Sequence, residues 1–345
     1  MYPNPKNFFL VENCMKYDDL NVVVLAYSRF EFFERVFKQC EKNLNKITVS
    51  IDYTEDLSIL DQQEKILNLI RESELNVNVI SRNHNHGLVN SILRSIEYGC
   101  SVSDHVIILE DDCVPSDEFF SYMDESLKTY KDDESVVSIC GTKTKCKFNP
   151  WGWATWKDRW EKHNFEIKNT IDQIKNTGSL DSLPLDLKSY CENSQIINGK
   201  QDIWSLSWTL THYLDNSLIL FPSHSLIKNI GFDGSGVHCS TTNIFNVKHK
   251  NKKIVLPKKI KFNLQNETKY NSFLVENSSK TFFKKKTLDA VEPYMFIKNK
   301  NYILGNQIKF YIEKFVNSTP IFDIHTHLFP SKFKKFYNVG LIKLL

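Results

Sequence analysis

Three adjacent carboxylates, Glu110, Asp111 and Asp112, follow the apolar run Val106-Ile107-Ile108-Leu109. Carboxylates packed this closely repel one another and raise each other's pKa. A divalent cation removes that penalty, and hard oxygen ligands suit Mg2+ or Mn2+, ions that typically bridge a carboxylate and a phosphate. The bland alternative is a solvated acidic turn; the buried strand before the triplet and the Val-Pro-Ser-x-x-Phe-Phe after it weigh against that. Asp202 opens an amphipathic stretch that runs to Leu214 with Trp204 and Trp208 at i,i+4. Its position suits either an N-terminal acid of a helix or a general base. His238, with Gly231, Gly234 and Gly236 before it, reads either as an ordinary loop histidine or as a neutral imidazole ligand on a mobile loop. Arg29 and Arg82 suit pairing with diphosphate oxygens or a place on the surface. His84-x-His86 has no nearby acid, and no metal site is expected there.

The elements that must carry these residues are legible as hydrophobic periodicity. Asn21–Tyr27 is a continuous apolar run of the kind buried on both faces of a parallel sheet. Phe30–Gln39 has helical spacing of Phe33, Val36 and Phe37, and Ile47–Ile51 reads as a second strand. Leu57–Arg71 reads as a helix whose buried stripe is Ile59, Leu60, Ile66, Leu67 and Ile70. Asn76–Ile80 is a third strand, Leu88–Tyr98 a helix closed by Gly99, and Asp104–Leu109 a fourth strand. Phe119–Tyr130 reads as a helix and Val136–Cys140 as a short strand. Strands alternating with helices predict an α/β fold with a doubly wound, mostly parallel sheet flanked by helices. Ligands then bind beyond the carboxyl ends of the strands. Arg29, Asp52, Arg82 and the acidic triplet all fall at such ends.

The chain has 345 residues, with 44 Lys+Arg against 41 Asp+Glu and a net charge of +3. That balance gives no argument for nucleic-acid binding. Only six basic residues are Arg, which leaves 38 Lys. The eight cysteines form no C-x-x-C pair, which excludes a zinc knuckle or thioredoxin-like motif. Met1–Leu10 lacks the pattern of a signal peptide. No apolar stretch approaches the roughly 20 residues of a membrane span. A cytoplasmic protein is expected.

The segment VIILEDDCVPSDEFFSYM at 106–123 resembles the metal-binding "DxD" strand end of GT-A fold, nucleotide-sugar-dependent glycosyltransferases. It is most similar to the N-acetylglucosaminyltransferase-I type and related bacterial sugar transferases. Other pieces agree in order over residues 20–240: AYSR at 26–29, SID at 50–52, NHNHGLVNSI at 83–92, PWGWATWKDRW at 150–160, GKQDIWSLSW at 199–208 and NIGFDGSGVH at 229–238. The resemblance implies a donor site of Ala26, Tyr27, Arg29, Asp52, Arg82, Asn85, Gly87 and Asp111. It implies Asp112 and His238 as ligands to Mn2+ or Mg2+, and Asp202 as the base of an inverting transfer. The donor would be a UDP-sugar, and the acceptor a glycan or lipid-linked hydroxyl in bacterial surface polysaccharide synthesis. One departure is that the motif reads Glu-Asp-Asp rather than Asp-x-Asp, so Asp112 takes the metal by position and Asp111 faces the ribose or a metal-bound water. Among the tryptophans, Trp151 and Trp153 are expected near the acceptor, with Trp156 and Trp160 packed, although Trp153, Trp156 and Trp160 also share helical spacing.

The expected organisation is a transferase domain over 1–245, a small lysine-rich appendage over 246–318 and a terminal stub over 319–345. Lys248–Lys261 carries seven lysines, a surface that could rest on anionic lipid at the inner membrane face or simply be solvated. PIFDIHTHLFP at 320–330 resembles the opening of amidohydrolase-type barrels, including uronate isomerase-like members. Only 18 residues follow His327, so this is read as the stub or remnant of a missing enzyme domain, with no functional metal at His325 and His327. Two other functions compete: a sugar nucleotidyltransferase, disfavoured because AYSRFEFFER lacks the Gly-rich loop, and a non-catalytic nucleotide-sugar or glycan-binding module.

Overall fold

Alternating burial within single strands shows how the sheet is covered. In β1 (Val22–Ala26), Val22 and Val24 belong to one core cluster and Val23 to another. The same alternation in β4 (His105–Glu110) sends Ile107 and Leu109 one way and Val106 and Ile108 the other. Successive side chains point to opposite faces, so both faces of these strands are buried. The computed structural model describes residues 16–143, 147–163, 166–178, 180, 183, 185–197, 204–232, 254–257 and 260. Asp202, His238 and the 319–345 stub lie outside the described residues.

Along the chain, β1 is followed by α1 (Phe30–Asn43), β2 (Lys46–Ile51), α2 (Leu57–Glu72), β3 (Asn76–Ser81), α3 (Gly87–Val102) and β4. Then come β5 (Cys113–Pro115), α4 (Phe119–Thr129), β6 (Val136–Cys140), β7 (Trp153–Trp156), α5 (Lys157–Trp160), α6 (Ile167–Asn176), α7 (Leu185–Glu192), α8 (Ser194–Ile197), α9 (Trp204–Leu214), β8 (Leu218–Leu220) and β9 (Ile227–Asn229). Among the described residues the main sheet has seven strands in the order β3-β2-β1-β4-β7-β6-β8, and β5 pairs with β9 in a separate ribbon. β1 pairs in parallel with β2 and β4, and β2 with β3, while β7 runs antiparallel to β4 and β6. The doubly wound, mostly parallel α/β architecture is the expected one.

One face of the sheet carries α1, α2 and α4 through Phe33, Val36, Phe37, Ile66, Phe119 and Met123. Ile254 is buried in this cluster with Leu256 and Ile260 packed against it, and the Tyr130 hydroxyl donates to the Pro257 carbonyl. At these positions the lysine-rich segment beyond 245 is part of the same hydrophobic core. The opposite face carries α3 and α9 over an aromatic cluster of Phe148, Trp153, Trp160, Trp204 and Trp208. His212 and Trp208 there share Ser138: Trp208 Nε1 donates to its Oγ at 2.9 Å and His212 Nε2 lies 3.0 Å from it. His163 bridges Ser207 and Thr211 on α9 at 3.1 and 2.8 Å. Burial pushes the His163 imidazole down to about 3 and that of His212 to about 4. Both are therefore neutral structural groups at ordinary pH.

Three local expectations are corrected. Gly99 does not close its helix: α3 continues to Val102 and is capped at Ser103. A Cβ at Gly99 would lie 2.4 Å from Val106 Cγ2, so the glycine is there for close helix–sheet approach. Leu60 faces outward, 40% exposed, because the buried side of α2 is set by Gln63, Ile66 and Ile70. Trp153 and Trp156 are not on a helix but at the two ends of β7, paired with Ile108 and His105 of β4. An odd separation in a strand sends them to opposite faces, Trp153 to the aromatic cluster and Trp156 to the other.

Candidate active site

The strand order reverses direction at β1. From β1 the chain moves out through β2 to β3, then returns to place β4 on the other side of β1. Such a switch point leaves a crevice at the carboxyl ends of the two strands, where neither crossover helix covers the edge. The register puts Ala26 beside Ile51, Ile51 beside Ser81, and Leu25 beside Glu110. The loops after these strands therefore emerge on one edge. Arg29 follows β1 and Asp111-Asp112 follows β4, and the two loops meet.

Arg29 starts α1 with its backbone, its carbonyl accepting from the Phe33 N–H at 3.0 Å. Its side chain turns to the acids. Nη2 donates to Asp111 Oδ1 and, at 3.0 Å, to Asp112 Oδ2, while Nε donates to Asp111 Oδ2 at 3.3 Å. The Phe32 ring lies under the guanidinium, 5.2 Å from its carbon. One cation thus serves two buried carboxylates, with Glu110 buried beside them. Burial lowers the Arg29 pKa, but attraction to and hydrogen bonds with Asp111 and Asp112 outweigh it and hold the guanidinium firmly charged. Asp111 is raised well above the usual carboxylate range, first by burial and then by Asp112 and Glu110, with Arg29 opposing.

The β5–β9 ribbon closes over Asp112. The Ile230 N–H donates to the Asp112 carbonyl at 2.8 Å, immediately beyond the pairing of Cys113 with Asn229. Asn229 is buried; its Oδ1 accepts from the Gly231 N–H at 2.8 Å and its Nδ2 reaches Cys113 Sγ at 3.7 Å. The Cys113 thiol donates to Asp112 Oδ1 at 3.3 Å. Burial, followed by the nearby Asp112 and Glu110 charges, keeps that thiol protonated. Gly231 approaches so closely that a Cβ would lie 2.2 Å from Asp112 Oδ2 and 3.2 Å from Arg29 Nη1. Only glycine lets the returning chain pass there. Sequence reasoning took Gly231 for a loop hinge and missed Asn229 altogether; the Asn-x-Gly spacing was the available signal, but its partner Cys113 is 116 residues away.

The donor set fits a hard divalent cation. One ligand atom each from Glu110, Asp112 and Cys113 falls within 4.8 Å of the others, and all three residues are buried. With the thiol protonated, the carboxylate oxygens of Glu110 and Asp112 are the natural ligands for Mg2+ or Mn2+.

The other expected donor residues gather at the ends of β2 and β3. Asp52 is buried, and its Oδ1 accepts from the Tyr53 N–H at 2.9 Å and the His86 N–H at 3.3 Å, tying the two loops together. Asn85 Nδ2 donates to the Tyr53 carbonyl at 2.9 Å, and its Oδ1 caps the Gly87 N–H at 2.7 Å. Gly87 has φ +74°, the left-handed conformation that favours glycine. Ala26 is buried at the end of β1 and Tyr27 is half-buried after it. Arg82 Nη2 reaches the Ser91 carbonyl and Ser95 Oγ, both at 3.2 Å, and Ser50 Oγ on β2 at 3.4 Å. It thereby braces α3 against β2. Trp153 is corrected, because it is fully buried and stacks on Trp204 with centroids 5.7 Å apart, leaving no face for a sugar. Trp151 is 9% exposed and meets Phe232 edge-on at 5.4 Å, beside Gly231. Through Phe232, the chain neighbour of Gly231, it backs the segment that presses on Asp112. His84 and His86 stack on each other with centroids 4.2 Å apart.

Residues 21–183 match the family model described as Glycosyl transferase family 2. That stretch, a little under half of the chain, is a glycosyltransferase domain, and the seven-stranded sheet agrees with the GT-A fold. A search of the curated proteins finds no match. Among solved structures, S. aureus TarS 1-349 is similar at 12% identity and a TM-score of 0.29, over 41% of this chain and 47% of that one. A Leptospira borgpetersenii cytidylyltransferase is similar at 12% identity and 0.34, over 63% and 84%. Mouse xyloside xylosyltransferase 1 is similar at 11% identity and 0.30, over 70% and 100%. The chain spans about half the length of the first two structures it matches, 47% and 53%. Likeness at this level establishes no shared substrate.

Proposed function

We propose that this glycosyltransferase moves a sugar from a nucleotide-sugar donor, a UDP-sugar in the first instance, to the hydroxyl of a glycan or lipid-linked acceptor, with a divalent cation. The observation that supports this most is the gathering of Arg29, Asp111 and Asp112 at the sheet's switch point. Mn2+ or Mg2+ held by Asp112, with Glu110 beside it, would supply Lewis-acid neutralisation of the leaving diphosphate.

The chain's own residues do the rest. Arg29 presents a planar fork suited to bidentate pairing with phosphate oxygens. Asp111, next to it, is placed for the ribose. Asp52 and Asn85 hold the loops after β2 and β3 in one conformation and so shape the wall against which the nucleoside rests. The β5–β9 ribbon and Gly231 cover Asp112 and exclude water from one side, which strengthens every charge interaction at the edge. Trp151, packed on Phe232 beside Gly231, would back the acceptor side of the site. Asp202 as base with inversion at the anomeric carbon, and His238 as a further ligand, rest on the sequence resemblance. The lysine-rich segment is proposed to face anionic lipid where a lipid-linked acceptor would lie. The stub at 319–345 is read as a remnant of a further domain.

The test is release of UDP from a panel of UDP-sugars with acceptor glycans, with Mn2+ and with EDTA. Activity should vanish with EDTA and return with Mn2+. Asp202→Asn should lose transfer and keep donor binding. EDTA-insensitive transfer would remove the metal from the account, and donor binding with no turnover on any acceptor would leave a binding module.

A further inference from the structure

Both oxygens of the Asp112 carboxylate already have a donor against them. Oδ1 accepts from the Cys113 thiol, and Oδ2 accepts from Arg29, with the Gly231 backbone pressed against that same oxygen. Each oxygen keeps a further lone pair, but a divalent cation at Asp112 would sit a few ångströms from the like charge of the Arg29 guanidinium, so the two compete for this carboxylate. Cys113 is fully buried and lies within β5; Gly231 is tied by its N–H to Asn229. The Arg29 side chain alone of the three has solvent access, 24% exposed. It is also the only one whose alternative partner, a diphosphate, offers the same bidentate geometry.

We infer that Arg29 is a built-in competitor of the metal. Without donor it neutralises Asp111 and Asp112 and repels a divalent cation; when a diphosphate arrives, the guanidinium transfers to the phosphate oxygens and frees Asp112. Metal loading is thereby coupled to donor loading, so the site resists filling by a cation alone. The inference rests on the metal-dependent reading above and concerns only how Arg29 controls that site. The coupling is thermodynamic: a ligand that draws Arg29 away must raise metal affinity, and metal must raise the affinity of that ligand by the same factor.

The test uses the full chain and Mn2+ alone, with free Mn2+ followed by electron paramagnetic resonance. Arg29→Gln should bind Mn2+ at least about tenfold more tightly than wild type, since a unit positive charge a few ångströms from the ion has been removed. Arg29→Lys keeps the charge and guards against a variant that fails to fold; it should remain within about threefold of wild type. UDP affinity, measured by calorimetry with and without Mn2+, should be tightened by the metal more in wild type than in Arg29→Gln. Equal Mn2+ affinity in wild type and Arg29→Gln, or weaker binding in the variant, overturns the inference and leaves the metal-dependent reading intact. Absence of Mn2+ binding in every variant, with UDP present as well, overturns both.

Discussion

Two regions of this molecule bury polar groups, and they do so in opposite ways. At the switch-point edge two carboxylates, Asp111 and Asp112, share one guanidinium with Glu110 buried beside them. Beneath α9, His163 and His212 are held neutral among Trp153, Trp160, Trp204 and Trp208, each imidazole satisfied by hydroxyl or carbonyl partners. The aromatic region holds both imidazoles in neutral hydrogen bonds, while Trp153 Nε1 and Trp204 Nε1 are buried without a partner among the described residues. At the acidic edge the guanidinium of Arg29 meets both Asp111 and Asp112. Burial marks neither region as functional by itself; the gathering of adjacent carboxylates at the strand end does.

The contrast can be broken by substitution. Trp208→Ala should have the largest effect, about 3–5 kcal/mol of stability, because Trp208 packs against Trp160 and His212 and donates to Ser138. Chemical denaturation measures it, and the protein that remains folded should respond to Mn2+ and EDTA as wild type does. Asp112→Asn should do the reverse. It lowers transfer by about a hundredfold to a thousandfold, or roughly 3–4 kcal/mol of transition-state stabilisation, with an unchanged or higher melting temperature because a repelling carboxylate is gone. A variant that lost stability instead would make Asp112 a structural acid.

A smaller effect separates the regions by pH. The imidazoles of His163 and His212 are depressed in the folded state to about 3 and about 4. The unfolded chain, with imidazoles near 6.5, therefore binds protons first as pH falls. Stability is complete above about pH 6.5 and falls as pH drops toward those folded values, by on the order of 1 kcal/mol per imidazole at pH 5.5. Denaturation curves at pH 7.5 and 5.5, compared with a His212→Gln variant, give the size of that loss. The smallest effect belongs to the exposed pair Lys65–Asp61, an i,i+4 contact on α2. Lys65→Gln should change stability by less than about 0.5 kcal/mol.

Much of the edge could be read from the chain itself. β1, β2 and β4 are apolar runs that end in polar residues, and doubly buried strands leave that trace wherever they occur. The triplet after β4 was legible for the same reason. The rest depends on partners far away in sequence. Arg29 suits a phosphate and a carboxylate equally, and nothing local says that Asp111 lies within reach. Trp153, Trp156 and Trp160 fit a helical period, but pairing of β7 with β4 overrode it. Gly99 looked like a helix terminator because Val106, which forbids a larger residue there, belongs to another element. The β5–β9 ribbon joins two three-residue strands more than a hundred residues apart, too short to announce themselves by periodicity.

The central claim is that the edge built from Arg29, Asp111 and Asp112 holds a nucleotide-sugar together with a divalent cation. Thermal denaturation of the full chain with a UDP-sugar panel, with Mn2+, and with both tests it most directly. A melting temperature raised by the pair well beyond the sum of the separate effects, and unmoved in Asp112→Asn, is the result expected. A UDP-sugar shift of the same size with EDTA present, or one that survives intact in Asp112→Asn, would contradict it.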